Sequence, residues 1–131
     1  SEDGLNWTRG LVDSNGNVGR YPSLAIDPAD GKPVLAYYRC NEYHPNEWDC
    51  DRNHDGVYFA YFAGEYPAEL TEQAKWKKTV VSEDSGASDG LFTSLAVGED
   101  GTVGIAYQYS WVDPQTMETR NTLMFQQGTW E

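Results

Sequence analysis

The chain carries one strand-and-turn unit twice, and this duplication restricts its folds more than any other feature. Gly19–Ile26 aligns with Gly90–Val97. An Asp-Gly pair follows each copy, Asp30-Gly31 and Asp100-Gly101. Val34–Tyr38 then matches Gly104–Gln108, and Tyr58–Gly64 matches Thr122–Gly128. A Trp-led segment closes the unit. Trp7–Val12 matches Trp76–Val81, and Trp130 opens a third such segment.

The repeated segments are short and rich in Val, Ile, Tyr, Phe and Trp, with Gly, Asp, Asn and Pro between them. That is strand and turn chemistry, and Asp-Gly between apolar runs predicts hairpins. Pro67–Lys75 reads as a loop. The expectation is an all-β chain built from four-stranded antiparallel units, the pattern of β-propeller blades. The first blade spans 21–81, with strands Tyr21–Asp27, Pro33–Arg39, Val57–Gly64 and Lys75–Val81 and an inserted loop at 40–56. The second spans 92–130, with strands Phe92–Gly98, Thr102–Tyr109 and Thr122–Gly128, and its outer strand is missing. Trp7–Val12 is a surplus outer strand, so residues 1–131 form one staggered two-blade unit.

Two blades are too few to close a ring, which takes about four to eight. The expected partners are therefore other blades. Either this is a homo-oligomer whose copies lend their first strands to neighbours, or the blades belong to a longer chain. A two-sheet sandwich is the third arrangement.

Tyr-x-Ser-Leu-Ala-Ile-Asp (21–27), then Asp-Gly, then Pro-Val-Leu-Ala-Tyr-Tyr (33–38), resembles the repeats of secreted bacterial β-propellers of the sialidase-like, neuraminidase-repeat type. Ser1–Trp7 resembles the Asp-box of that superfamily with one residue missing before the Gly. The resemblance implies the propeller fold and a secreted, periplasmic or cell-surface setting. It does not assign an activity. The chain begins at Ser1 without a leader, as expected of a processed or truncated product.

The inserted loop holds both Cys and both His of the chain. Asp51-Arg52-Asn53-His54-Asp55-Gly56 fits an Asp-x-Asn-x-Asp-Gly calcium loop, in which alternate oxygens face a hard cation and the Gly permits the sharp turn. Phe62 stands where an EF-hand has Glu, so the loop is of another type, with Asp49 available to complete the shell. Cys40 and Cys50 are spaced to close a disulfide across the loop in an exported chain. The rival reading is a zinc set of Cys40, His44, Cys50 and His54.

Nine basic residues against 21 acidic ones give a net charge of −12. This argues against nucleic acid as a partner, since phosphate contacts need a basic surface. No apolar run is long enough for a membrane span. No catalytic set is readable, so catalytic residues stay unassigned. Binding is the favoured function, a calcium-braced module for a glycan or protein ligand, with Tyr43, Trp48 and Trp111 on the rim loops and Arg20 and Arg39 near the ends of the first two strands as candidate contacts. The alternatives are a fragment of a sialidase-like glycoside hydrolase or lyase, and a purely structural propeller segment. Trp7, Trp76 and Trp130 are expected to be structural because the repeat explains them.

Overall fold

A computed structural model describes residues 6–14, 17–40, 43–44, 49–50, 56–83 and 88–129. Within these the chain is all-β. Its strands are β1 (Asn17–Ile26), β2 (Pro33–Cys40), β3 (Tyr43–His44), β4 (Asp49–Cys50), β5 (Gly56–Phe62), β6 (Trp76–Glu83), β7 (Ser88–Val97), β8 (Thr102–Val112) and β9 (Thr119–Thr129). They form an antiparallel four-stranded sheet in the order β1-β2-β5-β6 and an antiparallel three-stranded sheet in the order β7-β8-β9. Both sheets are meanders with open edges. A two-residue ladder, β3 against β4, lies within the inserted loop. No helix among the described residues is long and apolar enough to cross a membrane.

Local chemistry explains the hairpins. The Asp27 carboxylate accepts the amide of Ala29 at 3.0 Å, and the Asp27 amide donates to the Lys32 carbonyl at 2.9 Å. Gly31 follows with φ 73°, a left-handed turn position that suits a residue without Cβ. Gly101, with φ 84°, does the same between β7 and β8. The segment expected as a loop at 67–75 ends in a single 3₁₀ turn, Gln73–Lys75, which leads into β6.

The core lies between the sheets. Val34, Ala36, Val57 and Phe59 of the first pack against Val103, Ile105 and Tyr107 of the second. Each larger side chain buried here contributes about 1.5–3 kcal/mol relative to exposure. A second cluster, Tyr37, Tyr58, Ala60, Phe62 and Trp76, fills the opposite face of the first sheet, where Val12 and Leu70 cover part of it. The central strands β2 and β5 are thus buried on both faces. The core-facing residues of β8 alternate with less buried ones, and β9 is exposed along almost its whole length.

Three expectations are corrected. Residues 7–12 form no strand. This segment is held instead by side chains: Lys78 Nζ donates to the Val12 carbonyl at 3.3 Å, Tyr37 to Asp13 at 2.7 Å, and Gln73 Nε2 to Ser14 Oγ at 3.1 Å. Residues 6–11 are exposed. Trp7 is accordingly solvent-exposed, whereas its repeat counterpart Trp76 is buried. Trp130 lies outside the described residues. Finally, Trp111, expected on a rim loop, lies within a strand, because β8 and β9 stay paired from Ser110↔Asn121 out to Val112↔Thr119.

Candidate functional site

One end of the first sheet holds the candidate residues Arg20, Arg39 and Cys40. Val18 pairs with Arg39 and Arg20 with Tyr38, so both arginines sit at the end of the β1–β2 ladder that leads into the 41–55 segment. The register slips between Arg20 and Ser23 in β1, and again between Leu91 and Ser94 in β7. Such bulges re-aim a side chain. Here they turn Tyr21 and Phe92, which occupy the same position of the repeat, into the left-handed region, at φ 51° and 54°. Aromatic residues seldom adopt that conformation, and it costs of order 1–2 kcal/mol.

The two strained residues meet. Their ring centroids are 4.4 Å apart at an interplanar angle of 52°, and both side chains are exposed. The buried Tyr38 ring lies 6.1 Å from that of Tyr21. Hydrogen bonds between β1 and β7 fix the pair. The Thr93 hydroxyl donates to the Tyr21 carbonyl, and the Leu95 amide donates to Ser23 Oγ at 2.9 Å. The result is an exposed aromatic platform of two tilted rings, each offering a face for stacking on a flat apolar surface such as that of a sugar ring.

A set of polar and ring contacts runs along the other face at the same end. Arg39 Nη1 donates to the Tyr58 hydroxyl at 3.1 Å, and the guanidinium carbon lies 4.9 Å from the Tyr58 ring centroid. Tyr58 and Tyr37 have ring centroids 6.0 Å apart, and Tyr37 donates to Asp13 Oδ2 at 2.7 Å. Burial, with the nearby Asp13 carboxylate, pushes the Tyr37 hydroxyl far above the ordinary tyrosine range. Beside it, Val12, Val18, Pro22 and Leu35 line an apolar cleft of about 120 Å³. Arg39 is therefore engaged by Tyr58.

The remaining candidates divide as follows. Trp111 lies within β8, paired with Arg120, and is half-buried. Tyr43 pairs with Cys50 and His44 with Asp49 across the small ladder. Trp48, Asp51, Asn53, His54 and Asp55 lie outside the described residues. Among the described residues no group of His, Cys, Asp and Glu is arranged to hold a metal ion. Sequence reasoning did not single out Tyr21 and Phe92. The signal available was their shared repeat position, since a left-handed aromatic has no sequence signature. In comparisons with known proteins, the chain matches no family model, no curated protein and no solved structure.

Proposed function

We propose that the chain is a two-blade β-propeller unit acting as a binding module, and that its ligand is a glycan stacked on the Tyr21–Phe92 platform. The carrying observation is that pair: repeat-equivalent, exposed, held in strained backbone and 4.4 Å apart. Strain retained at two equivalent exposed positions points to use rather than to stability. Arg20 flanks the platform one residue before Tyr21 and supplies positive charge at this end.

The 41–55 segment follows β2 in the chain at this same end. In this reading it is a disulfide-closed calcium loop, with Cys40 joined to Cys50 and Asp49, Asp51, Asn53 and Asp55 as ligands, rather than a zinc site. Two observations support the brace. Cys40 is fully buried at the end of β2, and no cysteine is free among the described residues. A disulfide and a calcium loop both belong in an exported protein, so the module is secreted, periplasmic or displayed on a cell surface.

The test is a glycan array with the wild-type chain, followed by titration of the best hit against Tyr21→Ala combined with Phe92→Ala. Binding that the double variant loses, with unchanged far-UV circular dichroism, supports the reading. Binding that survives the double substitution, or no binding across the array, overturns it.

A further inference from the structure

The two sheets meet through unlike faces, and the repeat shows what each outer face is built to meet. Phe59 and Tyr61 lie on the face of the first sheet that packs against the second. Phe59 is 3% exposed. Their repeat counterparts Leu123 and Phe125 lie on the outer face of the second sheet, 81% and 64% exposed. Conversely, Leu95 and Val97 of the second sheet pack into the shared core. Their counterparts Leu24 and Ile26 lie on the outer face of the first sheet, 63% and 52% exposed. One outer face therefore repeats the inner face of the first sheet, and the other repeats the inner face of the second. They are the two halves of a contact the molecule already makes once.

The outer face of the second sheet is also shaped for docking. Ser94, Ala96, Gly104 and Ala106 line a broad depression of about 450 Å³, and the Phe125 ring lies over Gly104, whose own Cβ would come within 3.0 Å of it. Small side chains here let another sheet approach closely.

The 7–12 segment provides an independent sign. Val81 of β6 packs beside the second sheet, where Gln126 Nε2 donates to its carbonyl at 3.1 Å. Its repeat counterpart Val12 packs in the same way on the outer face of the first sheet, against the Tyr37–Phe62 cluster. The segment thus lies where the outer strand of a preceding blade belongs. It lacks only a ladder partner, and β9, the counterpart of β5, has an edge unpaired by any described strand.

We propose that a second copy of this chain seats the outer face of its β7–β9 sheet on the Leu24–Ile26 face of the first copy, and pairs its β9 edge with residues 7–12 of that copy. The interface is head-to-tail, so it propagates until a ring closes. It goes beyond the glycan reading and does not depend on it.

Light scattering on the full chain tests this, at concentrations up to on the order of 100 µM because association follows mass action. The wild-type chain is expected to associate. Leu123→Asp blocks one face and Leu24→Asp the other. Both residues are exposed in the single chain, so the variants should keep the wild-type circular dichroism. Each alone should be monomeric, while an equimolar mixture should form a dimer and nothing larger, because only one intact pair of faces remains. Leu11→Pro should weaken association without altering the monomer, since Leu11 is exposed and unladdered. Every copy carries −12, so association should strengthen between low salt and about 0.5 M salt. A monomeric wild type overturns the proposal and assigns these faces to other blades. So does continued self-association of both charge variants, and unaltered association of Leu11→Pro removes the strand pairing.

Discussion

The Tyr37 hydroxyl donates to Asp13 Oδ2 at 2.7 Å, tying the unladdered 6–14 segment to the middle of β2. Tyr37→Phe keeps the ring and removes the bond, and is expected to lower stability by about 1 kcal/mol near neutral pH. The hydroxyl is held protonated well above its ordinary value of 10.0. A raised folded pKa means the contribution is complete below the unfolded value and fades as pH rises past it. The gap between wild type and Tyr37→Phe in urea unfolding should therefore be constant up to about pH 9 and shrink above about pH 10. A gap that widens with alkali would contradict this assignment.

Phe59 and Leu123 share a repeat position and differ almost completely in burial. Phe59→Ala is expected to cost about 3–5 kcal/mol, as large-to-small changes in a packed core do. Leu123→Ala, measured in dilute solution where single chains prevail, should change stability by less than about 0.5 kcal/mol. Chemical denaturation of the two variants side by side separates core from open face. Equal losses would show that the outer face is covered within a single chain.

The left-handed backbone at Tyr21 predicts an order among substitutions that side-chain size does not. Asn tolerates positive φ and Val does not. Tyr21→Val should therefore be less stable than Tyr21→Asn by about 1–2 kcal/mol, although Val is the better strand former. The same order is expected at Phe92. Thermal melts of the four variants decide it, and a Val variant more stable than its Asn partner would show that these positions relax to ordinary strand geometry.

For the 41–55 segment, denatured mass without reductant should be two hydrogens below that with reductant. Removing both Cys40 and Cys50 should cost about 3 kcal/mol, from the entropy of a loop of this length. EDTA should lower the melting temperature of the wild-type chain. Asp51→Ala combined with Asp55→Ala should start from the lower value and be insensitive to EDTA. An EDTA-insensitive wild type would remove calcium from the assignment.

The strands were legible because two copies of the unit confirm one another and Asp-Gly marks each inner turn. The boundaries were less so. β1 begins at Asn17 rather than Tyr21 because Val18 and Arg20 continue the ladder past a bulge that the sequence does not announce. β8 runs on through Ser110, Trp111 and Val112 because Arg120 and Asn121 keep pairing with it. Polar residues on an exposed hairpin give no sign of where a strand stops. Trp7 failed for a different reason. Its motif is that of an outer strand, but a strand exists only beside another edge, and pairing is not written in the segment itself. Arg20 and Arg39 lie at one end of β1 and β2, near the strand ends where the sequence puts them. The engagement of Arg39 with Tyr58 was invisible, because it depends on side chains 19 residues apart in sequence meeting on one face.

Burial is graded across the molecule: β2 and β5 are covered on both sides, β8 on one, and β9 hardly at all. Opening free energy follows such coverage, so backbone amides should exchange with solvent in the same order. In a lone chain, β9 peels away first and the β2–β5 pair last. The molecule unzips from one flank, and covering that flank would lengthen the lifetime of the whole.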